Sequence, residues 1–381
     1  MKRIVLLLET SRAFGRGLIK GIARYSKIKG PWSFYKEPTD LKSSIPHLTN
    51  WNPDGIIMRD SLIKKELLNL NIPTILAVHD SSYPKDVPVI KTESQEIAKL
   101  ASGHLIGKGF KNLAFFGFED FDWVKERKSF FVHFNSEAGY ETHIYKPKRR
   151  KKNEWERELL EVSEWIKALP KPVGVFACND DYGQHILEVC KIAKLKVPEE
   201  VAVLGVDNDP MICDISDPPL TSIALNVETA GYEAAELMDK MIENKKIPVK
   251  QITVSPSHVV QRQSTDILAV NDINVSRAIG FIKKNAKNKI LVEDVVRTTE
   301  LSKRTLERKF RKMIHRSIYN EIQNVRIELI TKMLIETDLP ISQITSLFDF
   351  TDVEHISRYF KRGKGIGLRE FRKYHKPGNY D

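Results

Sequence analysis

A short pattern that occurs twice near the C-terminal end constrains this chain more than any other feature. In Leu301-Ser-Lys-Arg-Thr-Leu-Glu-Arg-Lys-Phe310, Ser302 stands where a helix begins, and its side-chain oxygen is suited to accept a first-turn N–H. Leu306 and Phe310 are four apart and share one face, leaving Arg304, Glu307, Arg308 and Arg311 on the opposite one. Upstream, residues 291–300 read as a short amphipathic helix. Two short helices, a tight joint and a basic outer face on the second make a helix-turn-helix, with the second helix sized for a DNA major groove. The pattern returns about 48 residues later, with residues 341–348 as first helix, 349–352 as turn and 353–360 as second helix. Ile356 and Phe360 take the anchor places, and Arg358 repeats the outward place of Arg308. Between the units, residues 317–336 carry Ile318, Ile322, Val325, Leu329 and Met333 at three-to-four spacing. A helix of that length spans roughly 30 Å at 1.5 Å per residue. One turn of B-DNA is about 34 Å, so such a helix is long enough to serve two successive major grooves.

Charge follows the same division. The chain has 381 residues, 61 Lys+Arg, 50 Asp+Glu and a net charge of +11. Residues 271–381 hold 23 basic and 14 acidic residues, so +9 of the excess lies in the last third, where a polyanion would be met. Residues 270–375 resemble the AraC-type double helix-turn-helix domain. The resemblance rests on Arg326-Ile-Glu-Leu-Ile-Thr-Lys-Met-Leu-Ile335, Ile341-Ser-Gln-Ile344, Phe350, Ser357-Arg-Tyr-Phe-Lys361 and Phe371-Arg372. It implies base contacts from Arg304, Glu307 and Arg308 in the first reader and from Val353, Glu354 and Arg358 in the second. Lys303, Lys309, Arg311 and Lys312 are expected mainly to hold phosphates. Two positions depart from the family pattern: Asp349 stands where glycine is usual, and Leu368 where proline is usual. Asp349 must therefore tolerate a positive φ that glycine adopts freely.

The three cysteines, Cys178, Cys190 and Cys213, fit no metal spacing and no disulfide framework. A reduced cytoplasm is expected. The apolar start of the chain is too short for a signal-peptide core, and no stretch approaches a membrane span.

The front of the chain has a different rhythm. Strands are expected at 3–8, 54–58, 74–78, 113–117, 174–178, 202–207 and 222–226. They alternate with helices at 15–26, 62–69, 95–107, 122–137, 155–169, 181–193 and 228–240. Apolar strands alternating with helices indicate a parallel α/β architecture, and its length fits two lobes. Residues 1–95 with the late helices form one lobe and about 112–225 the other. Residues 252–275 read as an exit strand and linker, so the expected domains are 1–267 and 268–381. Lys146-Pro-Lys-Arg-Arg-Lys-Lys152 is expected to be a solvated basic loop.

Gly15-Arg-Gly17-Leu-Ile-Lys-Gly21 after the first strand invites a dinucleotide-binding reading. It fails because the third glycine falls one residue late and about six residues separate the strand from Gly15. No cofactor is expected. The chain is more similar to LacI-type and periplasmic-binding-protein-like (type I) sugar domains. That similarity is carried by residues 11–25, Asp54-Gly-Ile-Ile57, Ile72-Pro-Thr-Ile75, His104-Leu-Ile-Gly-Lys-Gly-Phe110, Phe176-Ala-Cys-Asn-Asp180 and Val203-Leu-Gly-Val-Asp-Asn208. It continues through Leu220-Thr-Ser-Ile223 and Gly231-Tyr-Glu-Ala-Ala-Glu-Leu237. A sugar-type domain followed by an AraC-type reader resembles the xylose-operon regulators. The resemblance implies a homodimer that binds a double-stranded operator, takes D-xylose or a related sugar as effector and recruits RNA polymerase.

Sugar hydroxyls donate and accept, and sugar C–H faces stack on aromatic rings, so the matching side chains are carboxylates, amides, guanidinium groups and rings. At strand carboxyl ends the candidates are Phe14 and, more weakly, Ser11 and Arg12, then Asp60, Trp123, Arg127, Asn179, Asp180 and Asp207. Each has a plainer alternative. Asn179 or Asp180 serves equally well as a helix cap. Trp123 fits either a core or a sugar platform. Arg127 has Glu126 or Glu119 as surface partners. Asp207 ends a buried strand, and a carboxylate there needs partners. No catalytic motif appears; the expected class is a sugar-responsive regulator rather than an enzyme or a solute-transport component. A related architecture answering to another sugar, or repressing, stays open.

Overall fold

The computed structural model describes residues 1–36, 51–59, 72–78, 83–84, 86–118, 121–147, 155–243, 251–266, 272–314 and 316–375. The chain divides into two compact units, Met1–Ile267 and Leu268–Asp381.

The first unit holds two six-stranded sheets. Its elements in chain order are β1 (Lys2–Leu7), α1 (Ala13–Lys29), β2 (Trp32–Lys36), β3 (Gly55–Arg59), β4 (Thr74–Ala77), β5 (Val89–Thr92), α2 (Ser94–Gly107) and β6 (Asn112–Phe116). They continue with α3 (Asp122–Glu137), β7 (Thr142–Ile144), α4 (Trp155–Ala168), β8 (Val173–Ala177), α5 (Asp180–Ala193), β9 (Val201–Val206) and α6 (Pro210–Cys213). Then come β10 (Thr221–Leu225), α7 (Val227–Ile242), β11 (Gln251–Val254) and β12 (Pro256–Val260). The first sheet runs β11-β5-β4-β3-β1-β2 and is parallel throughout. The second runs β12-β10-β9-β8-β6-β7 and is parallel except for the antiparallel β12. Central strands such as β8 and β9 are buried along their whole length, which is why they read as unbroken apolar runs.

All seven expected strands form, each displaced by no more than one residue at either end. The short strands β2, β5 and β7 were not expected, and their burial is only partial. The stretch after residue 251 is a correction: it is two strands, not one exit strand. β11 pairs with β5 in the first sheet, and β12 pairs with β10 in the second. The expected helix at 62–69, the expected sugar contact Asp60 and most of the basic run, 148–152, lie outside the described residues.

The described chain passes between the lobes after β5, after β10 and between β11 and β12. These crossings are bonded together: Glu93 N–H to the Val254 carbonyl at 3.0 Å, Asn226 N–H to the Ser255 carbonyl at 2.9 Å, and Ser255 Oγ to Glu93 at 2.6 Å. They form a three-stranded hinge.

The glycines after β1 serve packing. A Cβ on Gly21 would lie 2.0 Å from the Glu228 carbonyl oxygen, and one on Gly231 would lie 2.2 Å from that of Leu18. Helices α1 and α7 therefore cross with their backbones nearly touching, a contact that only glycine permits.

The second unit contains α8 (Ile273–Asn285), α9 (Val292–Val296), α10 (Lys303–Ile314), α11 (Ile318–Glu336), α12 (Ile341–Leu347), α13 (Val353–Lys364) and α14 (Leu368–His375). It has two cores. One gathers Val275, Ile279, Ile282, Val295, Leu306, Phe310, Ile318 and Ile322. The other gathers Ile327, Ile330, Leu334, Ile344, Phe348, Ile356, Phe360 and Leu368. The expected stripe on α11 holds through Ile322 and then shifts. Ile327, Ile330 and Leu334 are buried, while Leu329 and Met333 are only partly so. One helix serves two cores, so a single stripe cannot run its whole length.

Candidate functional site

Between the two lobes of the first unit, strand ends and helix N-termini converge. Phe14, in the first turn of α1, is buried, and the Arg59 guanidinium at the end of β3 lies 4.8 Å from its ring centre. From the other lobe come Trp123 and Arg127, one turn apart on α3, with the Arg127 guanidinium 4.6 Å from the Trp123 ring centre. Arg127 is 2% exposed, so it is not a surface partner of Glu126, and Glu119 lies outside the described residues. Its Nη1 donates to the Cys178 carbonyl at 2.5 Å and its Nη2 to Thr92 Oγ1, of the first lobe, at 3.4 Å. Two buried donors, Arg127 Nε and Trp123 Nε1, have no partner among the described residues. Burial lowers the Arg127 pKa, and the nearby Asp207 carboxylate opposes that.

Asp207 follows β9 with φ at +103°, and Asn208 follows with φ at +49°. Both are in a region L-residues rarely occupy. The Asp207 carboxyl is half-buried, and its pKa is pushed up to about 6. Burial is the main cause; Arg127 and Arg59 pull the value down, while Asp181 and Asp209 raise it.

Other expected contacts have different employment. Asn179 caps α5, its side chain accepting from Tyr182 N–H at 3.0 Å. Asp180 is 1% exposed and already bonded: Oδ1 accepts from Ser222 Oγ at 2.5 Å, and Oδ2 from Asp209 N–H at 2.7 Å and the Cys213 thiol at 3.4 Å. Burial and the Asp207 charge raise its pKa well above the usual range. It buttresses the turn that carries Asp207 and Asp209. Arg12 pairs with Asp181 of the other lobe at 2.6 Å, and Ser11 Oγ is bonded to Glu9.

Several cleft residues had not been expected. Asp209, 1% exposed, accepts from Arg16 at 2.5 Å and from Ala13 N–H at 2.8 Å, both in the first lobe. It also caps α6 through Met211 N–H at 3.1 Å. Lys91 bridges to Glu126 at 2.6 Å. The signal for Asp209 was present as an Asp-Pro helix start, a capping residue ahead of proline at the first helical position.

In the second unit, Ser302 Oγ accepts from Thr305 N–H at 3.3 Å and starts α10. Leu306 and Phe310 are fully buried. Arg304, Arg308, Arg311 and Lys312 are exposed, and neither Arg304 nor Arg308 has an ion-pair partner among the described residues. Glu307 is only 24% exposed and lies 3.9 Å from Arg311, so it is turned partly inward. Lys303 pairs with Glu293 at 2.7 Å, which ties α10 to α9, and Lys309 pairs with Asp272 at 2.5 Å, the cap of α8. In α13, Ile356 and Phe360 are buried, and Val353, Glu354 and Arg358 face outward. Asp352 caps this helix through His355 N–H at 2.6 Å. Asp349 has φ at +55°, the left-handed conformation its place in the turn requires.

Comparison with known proteins covers both units. Residues 3–95 match the XylR N-terminal domain family, 102–265 the periplasmic binding protein-like domain and 295–374 a helix-turn-helix domain. The xylose operon regulatory protein of Escherichia coli strain K12 is 28% identical over 97% of this chain and 96% of that protein. The protein of the same name from Haemophilus influenzae is 28% identical over 97% and 98%. The structure of the xylose-binding transcription activator XylR aligns with a TM-score of 0.63 at 25% identity, covering 98% of each chain. Along its whole length the chain is similar to the XylR-type regulators. It is a DNA-binding transcription regulator that joins a periplasmic-binding-protein-like sensor domain to an AraC-type double reader. These XylR-type relatives are transcription regulators. Among the described residues, no helix is long and apolar enough to cross a membrane and no side-chain cluster is composed to hold a metal ion.

Proposed function

We propose that this regulator senses a pentose, D-xylose in the first instance, in the cleft between its lobes, and activates transcription of pentose-use genes in the cytoplasm. The observation that carries the reading is the pairing, across one cleft, of two buried unpartnered donors with a raised-pKa carboxylate and an aromatic ring. Arg127 Nε and Trp123 Nε1 suit acceptor lone pairs of sugar hydroxyls, Asp207 suits their O–H donors, and Trp123 or Phe14 suits the C–H face. Arg59 completes the set from the first lobe, and Asp60 is the next residue in sequence. Asn179 and Asp180 belong to the supporting frame.

Sugar held by groups from both lobes favours the closed arrangement by differential affinity. In a homodimer the two readers then fit a different operator spacing, and the bound dimer recruits RNA polymerase. Arg304 and Arg308 read base edges, with Val353, Glu354 and Arg358 in the second reader. Arg311 and Lys312 hold phosphates, and Ser302, Lys303 and Glu307 set the helix that presents them.

Calorimetric titration with D-xylose, then with a panel of pentoses and hexoses, tests the reading. Micromolar xylose binding that is lost in Asp207→Ala and Trp123→Ala is the expected result. Preference for another sugar replaces the ligand. Absence of binding to every sugar overturns the sensor reading.

A further inference from the structure

The segment that leaves the sensor domain is bolted to the turn that carries Asp207. Arg262, 15% exposed, uses its guanidinium on three acceptors at once: Asn208 Oδ1 at 2.9 Å, the Leu220 carbonyl at 3.1 Å and Asp214 Oδ1 at 3.0 Å. Asn208 is the second of the two consecutive left-handed residues, so this bond holds the side chain of a conformation with few alternatives. Asn208 N–H is also fixed, donating to Ser222 Oγ at 2.9 Å.

The rest of the segment is equally tied. Arg262 N–H donates to Thr221 Oγ1 at 2.9 Å, and Thr221 Oγ1 donates to the Arg262 carbonyl at 3.0 Å. Ser264 is fully buried; its Oγ donates to the Val203 carbonyl at 2.6 Å and accepts from Thr221 N–H at 2.8 Å. Thr265, also fully buried, lies 3.0 Å from both Thr221 Oγ1 and His104 Nε2. Two residues later the first compact unit ends. A side chain whose one end grips the Asp207–Asn208 turn thus sits on the short piece of chain that continues into the reader.

We infer that Arg262 is the positioning residue that transmits the state of the Asp207–Asn208 turn to the reader, without touching sugar or DNA. This inference rests on the sensor reading of the cleft. When a ligand engages Asp207, the neighbouring amide moves with the same backbone, and Arg262 carries that displacement into residues 262–266. Lysine at this position keeps a charge, but one ammonium lacks the planar fork by which Nε reaches Asp214 while Nη1 reaches Asn208 and Leu220.

The experiment measures operator affinity with and without xylose, and xylose affinity, for the full-length protein and for Arg262→Gln, Arg262→Lys, Asn208→Gly and the double variant Arg262→Gln/Asn208→Gly. Glycine at 208 keeps the left-handed φ while removing the amide. In the unaltered chain, sugar changes operator affinity by a factor of the usual allosteric size, about 5- to 150-fold. In Arg262→Gln and in Asn208→Gly that factor is expected to fall towards one, while sugar affinity and sugar-free operator affinity stay near the parental values. The double variant is expected to be no worse than Arg262→Gln alone, because both single changes already remove the Arg262–Asn208 bond. Arg262→Lys is expected to respond weakly.

Retention of the parental factor in Arg262→Gln and Asn208→Gly overturns the inference. Loss of sugar binding or of operator binding in step with a lowered Tm also overturns it, since that marks a residue needed only for folding. Failure of the sensor reading looks different: the unaltered chain then shows no sugar binding at all.

Discussion

Arg326, in the middle of the central helix of the reader, donates to the backbone carbonyl of Phe348 at 2.6 Å. Its other Nη donates to the carbonyl of Asn288, between α8 and α9, and its guanidinium lies 5.0 Å from the ring centre of Phe350. One buried cation therefore holds the turn of the second helix-turn-helix and the approach to the first. Burial lowers its pKa, but the group stays charged and needs these acceptors.

Arg326→Ala is expected to destabilise the reader by about 3 kcal/mol, the scale of one or two charge-assisted hydrogen bonds. Arg326→Lys is expected to recover only part of this. Denaturant unfolding followed by circular dichroism checks both. A loss within about 0.5 kcal/mol, typical of a surface substitution, would refute the role.

Asp207 gives a pH signature. Its pKa is 3.8 in an ordinary setting and about 6 in the fold. Between those values the unfolded chain has released a proton that the folded chain keeps. Stability of the sugar-free protein therefore falls as pH rises through that window and stays lowered above it. Asp207→Asn is expected to unfold at a higher temperature than the parent at pH 7 and at the same temperature below pH 4. If sugar is held by the ionised Asp207 carboxylate, as proposed, its binding is expected to weaken roughly tenfold from pH 7 to pH 5. Thermal scans and titrations at four pH values test both statements. A Tm difference that is constant across pH would remove Asp207 as the titrating group.

On the DNA side, Arg308 and Lys312 are both exposed on α10 and are expected to fail in different ways. Arg308→Ala should cost about 1–3 kcal/mol and relax preference at one base position, whereas Lys312→Ala should weaken all sequences alike and reduce the salt slope by about 1. Binding measured on an operator, on its single-base variants and over a salt series separates the two. Uniform weakening in Arg308→Ala would make it a phosphate contact.

The inter-lobe ion pairs differ in setting and should differ in weight. Lys91 and Glu126 are about one-third exposed, so Lys91→Met is expected to change stability by under about 1 kcal/mol. Arg16 faces Asp209, whose side chain is 2% exposed, so Arg16→Met strands a buried carboxylate at a cost of about 3 kcal/mol. Unfolding midpoints of the two variants, compared at one ionic strength, decide the ranking. Equal losses would mean that Asp209 is satisfied by the Ala13 and Met211 N–H groups alone.

The sequence made the architecture legible because long apolar strands and amphipathic helices repeat their period many times. It also made the paired readers legible, since Leu306, Phe310, Ile356 and Phe360 are all buried anchors. Strands β2, β5 and β7 were hidden because three to five half-buried residues carry little pattern. The cleft was harder. An amide or carboxylate at a strand end looks the same in sequence whether it caps a helix, braces a turn or faces a cavity, so Asn179 and Asp180 read equally well as caps or as ligand contacts. Only their partners separate them. Arg59 was overlooked because β3 runs one residue further than its apolar run, and Lys303 and Lys309 looked free because Glu293 and Asp272 lie far along the chain.

The central helix α11 gives its first half to one core, with Ile318 and Ile322, and its second half to the other, with Ile327, Ile330 and Leu334. A helix turns about 100° and advances about 1.5 Å with each residue. The two reading heads are thus geared together by an angular phase counted in whole residues. Inserting one residue between Ile322 and Ile327 would leave each core intact yet dial one head about a quarter-turn from the other, like a key cut for a different lock.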